Sequence, residues 1–134
     1  MITAVDTNVL IDVFGNDPEH GAASAEGLRR ALQEGTLAAC DVVWAETRAV
    51  FADDAAFEAA MRTIGVRFSP LSEKAAARAG AVWKAYRKAG GSRSRVMADF
   101  IIGAHAAHQA DRLLTRDRGY YRAHFRDLVL AGRT

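Results

Sequence analysis

The chain has 134 residues, half of them hydrophobic, and this is enough for one ordinary core and too little for a second domain. Its formal net charge is only +2, with 18 basic and 16 acidic residues, so bulk charge alone does not select a nucleic-acid ligand. No run of about 18 apolar residues is present and the N-terminus has no signal-like pattern; with Cys40 the only cysteine, no internal disulfide can form. These features together predict a single cytoplasmic domain spanning residues 1–134 with no membrane partner.

In chain order, Ile2-Thr3-Ala4-Val5 reads as a short buried strand, followed by a short helix over Val9, Leu10, Ile11 and Val13. Asp17-Pro18 has the form of an N-cap and a first helical proline, opening a helix that ends near Gly35. Thr36 to Cys40 supplies a second strand, and Asp41 is placed to cap a helix through about Phe51. Asp53-Asp54 opens another helix ending at Gly65, ahead of a third strand around Val66 to Phe68. Ser72 begins a long alanine-rich helix whose face carries Ala75, Ala79, Val82, Trp83 and Tyr86, and Gly90-Gly91 ends it. A helix through Asp99, a strand from Arg112 to Thr115 and a last strand near Leu128 to Leu130 complete the series. Strands alternating with helices predict an α/β fold, a three-layer α/β/α sandwich around a short, mainly parallel sheet.

Four acids stand out against this pattern. Asp6 falls at the carboxyl end of the first strand, where open parallel sheets bind their ligands, although an N-cap has the same place. Glu46 is flanked at helical spacing by Val42, Val43, Ala49 and Val50, which would centre a carboxylate on an apolar stripe. Such a group needs a cation, a donor or a metal, and Arg48 or Arg62 could serve as a plain ion-pair partner. Asp99 lies in the most apolar segment, Val96 to Ala104, with Arg95 a candidate partner. Asp117 follows another short apolar strand signal, Leu113-Leu114-Thr115, in the turn Arg116-Asp117-Arg118-Gly119, where an Asp before Gly is also ordinary turn chemistry.

The ordered set Asp6-Thr7-Asn8-Val9-Leu10-Ile11-Asp12, a helical Glu46, Ala98-Asp99-Phe100-Ile101-Ile102-Gly103-Ala104 and Leu113 to Tyr121 resembles the PIN-domain nucleases, and within them the VapC-type toxins of toxin–antitoxin pairs. The resemblance spans almost the whole chain. Gly103 stands where alanine is more usual, and Asp41 where Ser or Thr is more typical; neither change removes a carboxylate. The resemblance implies an endoribonuclease in which Asp6, Glu46, Asp99 and Asp117 are catalytic and hold one or two Mg²⁺ or Mn²⁺ ions, an oxygen-rich set that suits hard cations. It also implies a homodimer, a cognate VapB-type antitoxin as inhibitor, and products with 5′-phosphate and 3′-hydroxyl ends.

Thr7, Asn8 and Thr115 are candidates for orienting a carboxylate or a metal-bound water. The positive residues cluster late in the chain, and Arg93, Arg95, Arg116 and Arg118 are the candidates for contacting an RNA substrate's phosphates. His105 and His108 share the Asp99 helix, but no cysteine pair or glutamate base completes a zinc motif, so a structural role is expected. The competing functions are a PIN nuclease of RNA processing or DNA repair without an antitoxin, and a catalytically silent RNA-binding scaffold. A phosphotransferase with Asp6 as covalent nucleophile is disfavoured, because Asn8 stands where the haloacid-dehalogenase-like pattern has a second Asp.

Overall fold

A computed structural model of the chain describes residues 1–132. Among these, four strands, β1 (Ile2–Val5), β2 (Thr36–Ala39), β3 (Val66–Phe68) and β4 (Arg112–Leu114), form one parallel sheet in the order β3-β2-β1-β4. The helices are α1 (Thr7–Phe14), α2 (Gly21–Glu34), α3 (Asp41–Arg48), α4 (Asp54–Ile64), α5 (Glu73–Lys88), α6 (Met97–Gln109) and α7 (Arg118–His124). Successive crossovers β1 to β2 to β3 step one way and the return from β3 to β4 steps back across the sheet. With right-handed connections, this places α2 and α4 on one face and α5 with α6 on the other. The two core layers follow: Leu28 and Ala31 of α2 with Phe57 and Met61 of α4, and Phe100, Ile102 and Ala106 of α6.

The strand order reverses between β1 and β4, which is the topological switch point where parallel sheets open a crevice at their carboxyl ends. The Asp6 amide donates to the Leu114 carbonyl at 2.9 Å, so the ends of β1 and β4 are tied together at that crevice. Burial explains why helix α6 is apolar around most of its girth: it is sandwiched between the sheet and α5, whose Ala75 and Ala79 are small enough for close approach.

The expected caps of α4 and α5 are present, with Asp53 accepting from the Ala56 amide at 2.8 Å and Ser72 from the Ala75 amide at 3.1 Å. Four local expectations are corrected. Asp17 accepts from the Glu19 and His20 amides in a turn, and α2 begins only at Gly21, one turn later. Cys40, not Asp41, stands at the cap of α3, while the Asp41 carboxylate accepts from the Leu71 amide at 2.7 Å; the helix ends at Arg48, short of Phe51. The expected last strand is reduced to a single parallel bridge between Leu113 and Leu130, which covers the outer edge of β4. Helix α7 was not anticipated, because seven residues cannot establish a helical period.

Gly103 has a physical reason. A Cβ at this position would press on the Phe125 ring, with two ring carbons only 2.7 Å away, and Phe125 is itself fully buried. Gly103→Ala is therefore expected to lose about 2 kcal/mol in urea unfolding, overpacking outweighing the gain in helix propensity. Combining it with Phe125→Leu should recover part of the loss.

Candidate active site

Asp6 is only 6% exposed. It occupies the N-cap position of α1, yet its side chain makes no capping bond. Instead, Oδ2 accepts from the Thr115 hydroxyl at 2.8 Å, the Tyr121 hydroxyl at 3.1 Å and the Asn8 amide nitrogen at 3.4 Å. Burial raises its pKa above the ordinary carboxylate range, opposed by the Thr115 and Tyr121 hydrogen bonds, and the nearby Asp99 charge raises it further. A carboxylate is thus held in a fixed orientation where its own charge is costly, and a cation at that place would offset the cost.

Asp99 is partly buried in the first turn of α6, where its Oδ2 accepts from the Val96 amide at 3.0 Å and the helix N-terminus favours its negative charge. Its charge acts on Asp6 and also on Tyr120 and Tyr121. Its expected partner, Arg95, pairs with Asp117 instead, through both guanidinium Nη atoms; the Nη2 to Oδ1 contact is 3.2 Å. The Arg95 guanidinium lies over the Tyr120 ring at 4.2 Å, which fixes its plane. Asp117 is oriented at its backbone as well, its amide donating to Thr115 Oγ1 at 3.0 Å.

Glu46 corrects the sequence expectation in one respect: it is exposed, and the buried face of α3 is formed by Val43 and Thr47. The helix turns Glu46 toward α1, where the Thr7 hydroxyl donates to Oε1 at 2.7 Å. Asp6 and Asp99 therefore form the electrostatic centre, while Asp117 is attached to it through Arg95 and Glu46 through Thr7. Among the described residues, no three acidic, histidine or cysteine side chains already stand together as a metal cage. All four expected ligands are engaged by protein donors, Asp6 and Asp99 by neutral hydroxyl or amide groups, Glu46 by the Thr7 hydroxyl and Asp117 by the Arg95 guanidinium.

The arginines separate into different environments. Arg93 is exposed in the loop between α5 and α6. Arg116 turns from Asp117 to clamp the buried Asp12, donating from Nε to Oδ2 at 2.6 Å and from Nη2 to Oδ1 at 3.0 Å, with the Ser24 hydroxyl adding a bond at 2.7 Å. Arg118 donates to the Ala131 carbonyl at 2.5 Å and holds the C-terminal segment, and burial lowers its pKa. His105 is buried and bonded to Ser69 at 2.9 Å, with burial lowering its pKa, whereas His108 is exposed.

Sequence reasoning missed Tyr120 and Tyr121. The Tyr121 hydroxyl is kept protonated, by burial first and then by the Asp6 charge, and so acts as a donor to Asp6. The Tyr120 hydroxyl is buried with no hydrogen-bond partner among the described residues, close to the charges of Asp99 and Asp117. An aromatic pair directly after an acidic turn at a strand end was the available signal. An orphaned hydroxyl near two carboxylates, all of them oxygen donors, fits a centre suited to a hard cation and its waters.

Asp6 makes a testable contribution to the pH dependence of the metal-free protein. Its pKa is raised on folding, so its stabilising share is complete below the unfolded carboxylate value and is lost as pH rises through the folded one. The melting temperature of Asp6→Asn minus that of wild type should therefore increase between pH 4 and 7; a constant difference would contradict the burial argument.

The chain belongs to the PIN domain family, whose model matches residues 3–126. Among solved structures, the fold is similar to VapBC2 from Rickettsia felis bound to a promoter DNA fragment, with a TM-score of 0.75, 17% identity and all of both chains covered. It is also similar to FitAcB from Neisseria gonorrhoeae (TM-score 0.68, 22% identity, 98% of this chain and 97% of that one). A toxin–antitoxin complex from Klebsiella pneumoniae gives a TM-score of 0.63 at 23% identity over 98% of this chain and 99% of the other. No curated protein matches the chain significantly by sequence.

Proposed function

We propose that this PIN domain is a Mg²⁺- or Mn²⁺-dependent endoribonuclease acting as the toxin of a toxin–antitoxin pair. The observation that carries the reading is the buried Asp6 carboxylate, fixed by Thr115 and Tyr121 and facing Asp99 at the sheet's switch point. Asp6 and Asp99 would hold one or two ions, with Asp117 and Glu46 joining directly or through water. When bound, the metal supplies an activated water and positive charge for the scissile phosphate, so no covalent nucleophile is needed.

The chain's own residues do the remaining work. Thr115 and Tyr121 keep Asp6 in one orientation, and Thr7 does so for the exposed Glu46. Arg95 lies beside the carboxylates with Arg93 further out on the loop, and both are suited to substrate phosphates. Arg116 and Arg118 support this function indirectly, as clamps on Asp12 and on the C-terminal segment. The similarity to structures described as VapBC and toxin–antitoxin complexes supports an antitoxin partner; the proposed homodimer follows from the family resemblance of the motifs, and the proposed cytoplasmic location from the lone cysteine. No helix among the described residues is long and apolar enough to cross a membrane.

The test is cleavage of 5′-labelled total RNA by the antitoxin-free protein with Mg²⁺, Mn²⁺ or EDTA. Discrete metal-dependent cuts support the reading. Absence of cutting on both RNA and DNA would move the chain to the silent-scaffold class, and cutting of DNA alone to a repair nuclease.

A further inference from the structure

Beside the carboxylate crevice, the last turns of α5, the following loop and the start of α6 enclose a groove of about 590 Å³ reaching from Arg95 and Met97 to Trp83. A second hollow of about 370 Å³ continues it, sharing Trp83 and Arg87 and adding Lys84 and Lys88. Five cations, Lys84, Arg87, Lys88, Arg93 and Arg95, line the two together, and no acid does.

The groove is built rather than incidental. Gly91 lies flat on the Tyr86 ring, where any Cβ would collide, and the Tyr86 hydroxyl donates to the Ser92 carbonyl at 2.7 Å. Tyr86 is packed against Phe100 and His124, so its ring is a wall. Trp83 is different: it is only partly buried, with the Arg87 guanidinium 5.0 Å from its ring centre. The α5 C-terminal carbonyls of Ala85, Tyr86 and Arg87 already accept amides from Ala89, Gly91 and Gly90, which mutes their negative end toward an anion.

We propose that Trp83 with Arg87 forms a base-stacking subsite for a single-stranded nucleic-acid substrate, several nucleotides from the carboxylates along the track Arg95, Arg93, Arg87 and Lys88. This rests on the nuclease reading for the direction of the track. Indole faces stack on any base, and cations in line neutralise successive phosphates; an apolar protein surface would leave Lys84, Arg87, Lys88 and Arg93 without a counterpart. The subsite therefore contributes length and affinity, with little base preference.

The test is fluorescence anisotropy of a 5′-labelled mixed-sequence RNA dodecamer and of its abasic analogue, with wild type, Trp83→Ala, Trp83→Phe and Arg87→Ala in EDTA, each checked for folding by circular dichroism. Trp83→Ala should bind the dodecamer about tenfold more weakly while binding the abasic strand as wild type does, and Trp83→Phe should restore most of the difference. Arg87→Ala should lower the slope of log affinity against log salt by about 0.7. Equal dodecamer affinity for folded Trp83→Ala and wild type overturns the subsite, as does a Trp83→Ala effect confined to self-association. Wild type that binds with the Trp83 dependence but cuts nothing with Mn²⁺ refutes the nuclease reading and leaves the subsite standing; wild type that cuts with no Trp83 dependence does the reverse.

Discussion

On the proposed nuclease reading, Asp6→Asn and Asp99→Asn should each reduce metal-dependent RNA cleavage by at least about a hundredfold while the fold is retained. The amide preserves shape: a carbonyl oxygen at position 6 can still accept from Thr115 and Tyr121, which donate to a single carboxylate oxygen. What disappears is the negative charge that would hold a cation. Because Asp6 is buried against a raised pKa, its removal should leave the metal-free protein as stable as wild type or more so at neutral pH. Activity and stability thus move in opposite directions, and this separates a catalytic carboxylate from a structural one. Single-turnover cleavage of one labelled RNA, with melting curves of the same preparations, measures both. Cleavage by Asp99→Asn within a few-fold of wild type would remove Asp99 from the site.

Arg116→Ala should act in the other direction, on stability first. Asp12 is 3% exposed, and although burial pushes its pKa up, the Arg116 and Ser24 hydrogen bonds outweigh this and hold it below the ordinary value. Removing Arg116 leaves a buried acid with only Ser24, a loss of about 3 kcal/mol, or about 10 °C in melting temperature for a chain of this size. The pH signature has a definite sign. A carboxylate with a depressed folded pKa stabilises above its unfolded value, and that share is lost as pH falls through the folded one, so the wild-type advantage over Arg116→Ala should shrink on acidification. Asp12→Asn in the Arg116→Ala background should regain part of the loss, since an amide carries no charge to bury. A melting temperature unchanged by Arg116→Ala, together with weaker RNA binding, would return Arg116 to the substrate-contacting role that its position beside Asp117 suggests in sequence.

The sequence made the four carboxylates legible because apolar strands and an apolar helix surround Asp6, Asp99 and Asp117, and a charge is conspicuous there. The same logic misplaced Glu46. Val42, Val43, Ala49 and Val50 suggested an apolar stripe, but α3 ends at Arg48, so Ala49 and Val50 lie outside the helix and do not define its buried face. Charge partners were less legible still. Arg95 adjoins the Asp99 helix in sequence, yet pairs with Asp117, 22 positions away, and Arg116 adjoins Asp117 yet clamps Asp12, 104 positions away. Neighbours in the chain do not point the same way at a strand end, and long guanidinium side chains reach whichever buried acid the fold presents. Asp12 closes the first motif of the ordered set, but nothing in the sequence pointed to its burial or to Arg116 as its partner. Tyr120 and Tyr121 escaped because α7 is too short to show a period, although it carries the hydroxyl that orients Asp6.

On the proposed reading, the carboxylates at the switch point bind a divalent cation through Asp6 and Asp99. Calorimetric titration of Mn²⁺ into the metal-free protein tests it most directly, with the Asp6→Asn/Asp99→Asn double variant and the exposed-surface variant Glu58→Gln alongside. Saturable binding of one or two ions that survives in Glu58→Gln and vanishes in the double variant is the predicted result. Mn²⁺ binding that is equal in wild type and the double variant, or missing from wild type, would contradict it.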